Sequence, residues 1–427
     1  MFFYSTNKRS SRATFEEALL RGLAPDGGLY YPESIPRLSA EEVGRLEGSS
    51  LQGVGFGVLS KWIGDEVEDD ALKAAVENAL NFPISLKEVG PYRVLELFHG
   101  PSMAFKDVAA KCLAQLIQAF LKKRKRSATI LVATSGDTGA AVAQGFAGLE
   151  DMRVVVLYPK GRVSSLQEEL LTRVADNILP LEVEGVFDDC QTLVKKAFLD
   201  PDLSALRLTS ANSINIGRLI PQTIYYVYAY ALLPVGNLEF VVPSGNMGNV
   251  TAGLFAQGMG LPFPSFIIAC NGNDSVVRYH GTGTYEPRTT VQTLSNAMDV
   301  GDPSNFVRIL EYFDHNHDAF RKRTRAVKVD DSETAATIRS VFDRHNYLLD
   351  PHTAVGWRAA ERTADSRFER VILATASPVK FSSEIQKTTG ISVDASEVFD
   401  RLSHWKKRKL AIRNDYGDLK KILVSRM

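Results

Sequence analysis

Lys106 lies in the segment His99-Gly100-Pro101-Ser102-Met103-Ala104-Phe105-Lys106-Asp107, at the predicted start of a helix. Apolar neighbours disfavour an ammonium and free the amine as a nucleophile. Imine formation with a carbonyl is the chemistry such an amine does. Three further segments, each following a β-rich run and preceding a helix, could work with it. The first, Thr134-Ser135-Gly136-Asp137-Thr138-Gly139, offers hydroxyls, two glycines and a helix N-terminus, where backbone N–H groups can hold an anion such as a carboxylate. A plain capped helix, with Ser135 or Asp137 as the cap, explains the same residues. The second, Ser244-Gly245-Asn246-Met247-Gly248-Asn249, is rich enough in glycine for successive amides to converge on a phosphate, or simply to make a tight turn. It lacks both the G-x-G-x-x-G spacing and a G-K-[ST] continuation, which argues against dinucleotides and P-loop nucleotides. The third, Thr375-Ala376-Ser377-Pro378, puts a hydroxyl at a strand end, suited to a ring nitrogen or to capping.

A nucleophilic lysine, a phosphate nest, an anion loop and a strand-end hydroxyl together point to pyridoxal 5'-phosphate. That cofactor needs an imine-forming lysine, a phosphate cradle and a partner for its ring nitrogen.

The elements that must position these residues alternate in the βα manner. Strands are predicted over 94–98, 128–134, 153–158, 178–183, 239–242, 266–269 and 371–375. Helices are predicted over 104–125, 138–148, 164–175, 188–199 and 218–233. Continuous apolar strands alternating with helices imply an α/β fold with open, mostly parallel sheets covered by helices. Residues 1–92 read as a separate N-terminal domain. Residues 93–235 form an α/β domain carrying the lysine and the substrate loop, and residues 236–427 one carrying the phosphate loop and C-terminal helices. The segment 272–305 is long, aperiodic and rich in Gly, Thr, Asn and Pro, as a functional or core-wrapping loop would be. No internal repeat or low-complexity segment is evident.

Composition sets the outer limits. The chain has 427 residues, with Lys+Arg and Asp+Glu both at 50, so no global charge draws it to nucleic acid or an anionic membrane. The runs Lys122–Arg126 and Lys406–Lys409 read as solvated basic faces. Cys112, Cys190 and Cys270 share no C-x-x-C spacing and fit inert thiols in a reducing, cytoplasmic setting. No apolar run reaches the ~20 residues of a membrane span. No leader pattern is seen at Met1–Thr6.

Beyond these local readings, the chain resembles the threonine synthases of the longer type, within the fold type II pyridoxal-phosphate enzymes (the tryptophan synthase β-like group). The resemblance runs nearly end to end. It is carried by Tyr4-Ser5-Thr6, Phe15 to Tyr30, His99-Gly100-Pro101 with Ala104-Phe105-Lys106-Asp107, and Thr134 to Gly139. It continues with Asn212-Ser213-Ile214-Asn215 and Arg218, Pro243 to Asn249, Ala297 to Val300, Pro303 to Phe306, and Thr375-Ala376 with Pro378 and Lys380-Phe381. The Phe15–Tyr30 and Ala297–Phe306 segments are the ones most specific to threonine synthases.

The resemblance implies a PLP-dependent lyase of threonine biosynthesis that converts O-phospho-L-homoserine and water to L-threonine and phosphate. Lys106 would form the Schiff base and shuttle protons. Gly245, Asn246, Met247, Gly248 and Asn249 would hold the cofactor phosphate, Thr375 would face the pyridine nitrogen, and Asp137 would lie at the ring edge. Ser135 and Thr138 would meet the substrate carboxylate. Arg218, with Ser213 and Asn215, is the candidate for the substrate phosphate, because a guanidinium suits bidentate phosphate binding. The chain departs from the family at Ser102, usually Thr, and at Ser377, often His. His99 and His352 are further acid/base candidates. A phospho-lyase releasing 2-oxobutyrate shares the same motifs, and a catalytically silent homologue is the rival from another class. A monomer is expected, with a dimer as the alternative. No metal is called for.

Overall fold

The computed structural model describes residues 1–426. Its larger sheet has six strands in the order Thr324–Lys328, Phe266–Cys270, Leu238–Pro243, Glu369–Ala374, Tyr92–Glu96, Ser85–Val89. All neighbours are parallel except the last pair, an antiparallel hairpin. The second sheet has five parallel strands in the order Leu410–Arg413, Ile178–Glu184, Met152–Pro159, Ala128–Ala133, Leu208–Ser210. Ala128–Ala133, Leu238–Pro243 and Phe266–Cys270 are buried along their whole length. Burial on both faces is why they read as largely apolar runs, broken only by Thr129 and Glu239.

The expected cuts after residues 92 and 235 do not follow these sheets. Tyr92–Glu96 pairs with Glu369–Ala374, which places it in the sheet of the phosphate loop. Leu410–Arg413 crosses back to join the sheet of residues 128–210. Each unit is therefore built from discontinuous segments, because a parallel partner can come from any distance along the chain once a crossover exists. The first 92 residues do not make a free-standing core either. Their three-stranded antiparallel sheet is centred on Phe2–Ser5. Its Phe3 joins Phe15, Tyr30 and Trp62 in one apolar cluster with Phe120, Ile216 and Phe255. Trp62 stacks on Phe255 at 5.5 Å between centroids.

Besides the three short N-terminal strands, four strands of the two larger sheets went unread in the sequence: Ser85–Val89, Leu208–Ser210, Thr324–Lys328 and Leu410–Arg413. The first, third and fourth are partly exposed edge strands of mixed polarity, so their pattern is weak. The helix expected over 218–233 is broken into Ile216–Leu219, a 3-10 turn at Ile220–Gln222, and Thr223–Leu232. Pro221, which has no N–H to donate, sits at the break.

The 272–305 segment is largely irregular, as expected, and much of it between 281 and 292 is exposed. One helix, Ser275–Thr282, ends at Gly283 with φ 75°. The rest is mostly irregular and tied to Asn271, whose Nδ2 donates to Thr293 Oγ1 (2.8 Å) and Asp299 Oδ1 (2.9 Å). All three cysteines are free and buried, and burial pushes each thiol up to about 12. No described helix is long and apolar enough to cross a membrane.

Candidate active site

The pairing of Tyr92–Glu96 with Glu369–Ala374 decides where Lys106 goes. Beyond the two strand ends the chains stay together: Phe105 N donates to Thr375 O (2.8 Å), Ser377 N to Met103 O (3.1 Å), and Ala104 bridges Ala376. Met103 takes φ 54° to make the turn, and the helix Lys106–Arg124 starts directly after. Lys106 is only half-buried, so its amine remains reachable. Burial lowers its pKa to about 8, helped by the Lys380 and Arg218 charges and opposed by Asp137. A substantial neutral fraction at neutral pH is what a nucleophilic amine needs. Asp107, the next residue, is fully buried and accepts from Ser102 N (2.9 Å). Burial raises its carboxyl to about 6.

The second loop leaves the strand Leu238–Pro243 and enters the helix Gly248–Gly258 through Met247, which has left-handed φ 61°. Among the described residues, the N–H groups of Gly245 to Asn249 find no acceptor within the protein. Asn246 holds the loop in shape: its Nδ2 donates to Ser213 Oγ (2.6 Å) and its Oδ1 accepts from Ser304 N. Asn249 Oδ1 accepts from Tyr226 OH (2.9 Å), while its Nδ2 is buried and unpaired. Gly245 cannot carry a side chain, because a Cβ there would sit 2.6 Å from Met298 Cα. Unpaired amides at a helix N-terminus, pinned from both sides, fit a phosphate group. Leu238–Pro243 and Glu369–Ala374 are parallel neighbours, so this loop leaves the same sheet edge as Thr375, which Phe105 and so Lys106 adjoin, and the donor set fits pyridoxal phosphate.

In the first loop neither Ser135 nor Asp137 caps the helix Asp137–Gly145. Instead Thr134 Oγ1 accepts from Gly136 N (2.9 Å) and Gly139 N (2.8 Å). That leaves the N–H groups of Ser135, Asp137 and Thr138 without an acceptor among the described residues. Ser135 is exposed and Thr138 half-exposed, so both are reachable. Asp137 points inward. Its Oδ1 is 2.6 Å from Lys380 Nζ and accepts from Gln167 Nε2 (3.0 Å). Burial alone would raise this carboxyl, but Lys380 and then Lys106 outweigh it and hold it well below the usual range.

Thr375 is buried beside Ala104–Phe105. Arg218 is 3% exposed, donates from Nη1 to Ala211 O (2.7 Å), and has a buried Nε without a partner. Burial pushes its pKa down to about 10. Ser213 is tied to the phosphate loop through Asn246. Asn215 corrects an expectation: it is fully buried, its Nδ2 donates to Leu19 O and Ser210 O, and its Oδ1 accepts from Gly217 N. Its amide is spent on the fold. Ser377 caps the turn Pro378–Phe381, and His99 pairs with Glu96 at 2.9 Å.

The sequence reading gave no site role to Lys380, Gln167 or Arg308, and named His352 as an acid/base candidate rather than as an anchor. Lys380 and Gln167 hold Asp137. His352, fixed by Asp350 (2.7 Å), accepts from Ala297 N at 3.1 Å and so anchors the segment that presses on Gly245. Fully buried Arg308 joins Tyr30 O (3.0 Å), Ile214 O (2.8 Å) and Asn305 Oδ1 (2.6 Å). Lys380 stands just after the third loop, but a sequence does not say that a lysine is buried.

Comparison with known proteins agrees with this geometry. Residues 86–375 match the family described as pyridoxal-phosphate dependent enzyme. Residues 2–80 match threonine synthase N terminus, and residues 353–423 match threonine synthase, C-terminal. The chain is 40% identical over 429 residues to the threonine synthase of Haemophilus influenzae, covering 99% of this chain and 100% of the relative. A crystal structure of PLP-bound threonine synthase from Brucella melitensis superposes with a TM-score of 0.93 at 36% identity, covering 99% of this chain and 98% of that one. The threonine synthase from Escherichia coli superposes with a TM-score of 0.92 at 37% identity over 100% of both chains.

Proposed function

The chain belongs to the threonine synthase family of pyridoxal-phosphate-dependent enzymes, and from that membership we propose how its own residues divide the work. The enzyme is a lyase that makes L-threonine and phosphate from O-phospho-L-homoserine and water. When bound, the cofactor binds an amine covalently and draws electrons from the carbons next to it.

Lys106 is the attachment point for that group. The N–H groups of Gly245 to Asn249 take its phosphate, and the Thr375 hydroxyl faces its ring nitrogen. Ser135, Thr138 and the amide of Asp137 receive the substrate's α-carboxylate. Arg218, with Ser213, takes the substrate's phosphate; its unpaired buried Nε supports this assignment. The free Lys106 amine would take the Cα proton; loss of phosphate from Cγ then also needs a proton to leave Cβ and one to reach Cγ, and once water has added its hydroxyl at Cβ, Lys106 would return a proton to Cα. Its lowered pKa suits both directions of transfer.

The observation that carries this reading is the reachable Lys106 amine set among two loops of unpaired amides and a strand-end hydroxyl. The test is to incubate the purified holoenzyme with O-phospho-L-homoserine and assay threonine, phosphate and 2-oxobutyrate. Threonine equal to phosphate is expected. Predominant 2-oxobutyrate would make the enzyme a phospho-lyase. The reading also puts the enzyme in the cytoplasm, in keeping with three unpaired buried thiols, and as a monomer, which sedimentation analysis tests.

A further inference from the structure

Lys380 is the most deeply buried lysine among the described residues, with a side chain 0% exposed. Its one acidic partner is Asp137 at 2.6 Å, and its ammonium finds no other acceptor. It is delivered by the turn Pro378–Phe381 immediately after Thr375, and Phe381 packs on His352 at 4.9 Å between ring centroids. Burying such a pair costs several kcal/mol per ion and is often no better for stability than an apolar replacement. A requirement of the site explains the pair where stability does not.

We infer that Lys380 is a positioning residue that neutralises the Asp137 carboxylate so that the loop 134–139 can accept the substrate's α-carboxylate. This rests on the assignment of that loop made above. Asp137 opens the helix whose N-terminal amides form the anion site, so its own negative charge stands where a second one must enter. Two like charges about 6 Å apart at an effective dielectric near 20 weaken binding by on the order of 100-fold. Asp137 does not escape by protonation while Lys380 stands beside it at 2.6 Å, and Lys106 acts in the same direction. Its position is fixed as well: Gln167 Nε2 holds the same oxygen from the other side, and Gln167 fills the space over Gly136, whose Cβ would lie 2.7 Å from Gln167 Cδ. A matched cation at Asp137 is the remaining way to clear the loop, and Lys380 supplies it.

The test uses two saturated phosphonates that have no leaving group. One is 2-amino-5-phosphonopentanoate and the other is 4-aminobutylphosphonate, the same molecule without its carboxylate. Their affinities for the holoenzyme are read from the change in the cofactor's absorbance, and cofactor affinity for each apoenzyme is measured alongside. The wild type is expected to prefer the carboxylate-bearing probe by about tenfold or more. K380M is expected to lose most of that preference, and K380M/D137N, which buries no lone charge, to regain much of it. Each probe is titrated at saturating cofactor, so that a change in cofactor affinity does not enter the ratio of the two probe affinities. A wild-type preference retained in K380M overturns the inference and leaves the loop assignment standing. No preference in the wild type overturns both. If K380M does not fold, the double variant decides: absence of carboxylate preference there means Lys380 does more than cancel Asp137, and the inference fails.

Discussion

Substituting Gly245 by alanine tests the phosphate loop where its geometry is tightest. The added Cβ would lie 2.6 Å from Met298 Cα and 3.0 Å from both its carbonyl carbon and oxygen. All three are backbone atoms, so no side-chain rotation relieves the clash. Ordinary contact begins near 3.4 Å, so loop and segment must part by close to 1 Å. Met298 cannot give way cheaply, because Ala297 N is bonded to His352 and Asn271 ties Ser295 and Asp299. The loop therefore moves, and with it the amides aimed at the cofactor phosphate. Each hydrogen bond to a charged group is worth about 1.5–3 kcal/mol, so losing one weakens binding by roughly 10- to 150-fold, and losing a second multiplies that loss by a similar factor. Overpacking adds a separate stability loss of about 1–3 kcal/mol. Gly248→Ala is the internal control: its Cβ meets nothing closer than Asn305 Nδ2 at 3.5 Å. Titration of each apoenzyme with pyridoxal phosphate, followed by tryptophan fluorescence, measures the affinity, and thermal unfolding of the apoenzymes measures stability. A Gly245→Ala affinity within twofold of wild type, or equal losses in the two variants, would refute the argument that Met298 sets the loop.

Three other outcomes follow from buried groups. Asp107 has a folded pKa near 6 against an ordinary 3.8, so its ionisation opposes folding. The cost grows as pH rises from about 4 to about 6 and then levels off, at most at about 3 kcal/mol. The stability of Asp107→Asn relative to wild type should therefore rise across that window in denaturant titrations, and a pH-independent difference would contradict the assignment. Arg308→Lys keeps the charge but loses the fork that spans Tyr30 O, Ile214 O and Asn305 Oδ1. A loss of about 3–5 kcal/mol is expected by chemical denaturation, and a loss below 1 kcal/mol would show the fork to be dispensable. The three thiols should resist an aromatic disulfide reagent in the native enzyme and react fully in denaturant, since burial keeps them protonated; rapid labelling of the native enzyme at neutral pH would refute this.

The central strands and the three loops were legible because their signals are local. Phe240–Pro243 is apolar throughout, and the glycines at 245 and 248 follow at once. Lys106 was legible for the same reason, having Met103, Ala104 and Phe105 as sequence neighbours. What failed to show was everything decided by distant partners. The edge strand Thr324–Lys328 is mostly polar and Leu410–Arg413 is short and mostly exposed, and only their pairing with Phe266–Cys270 and Ile178–Glu184 makes them strands. Asn215 looked like a ligand because it stands in a polar run beside Arg218, yet Leu19, nearly 200 positions earlier, claims its amide.

Lys380 is the sharpest case, and it bears on Lys106 itself. Burial, Lys380 and Arg218 push the Lys106 pKa down, while Asp137 pulls it up. Removing Lys380 would leave the pull without its counterweight and favour the protonated, non-nucleophilic amine. Removing Asp137 alone would leave three cations, Lys106, Lys380 and Arg218, with Asp107 as the acid that faces them. The nucleophile's charge state is thus set jointly by a loop from one sheet and a turn from the other. No window of sequence around residue 106 contains that information, since the acid lies 31 residues away and the second lysine 274.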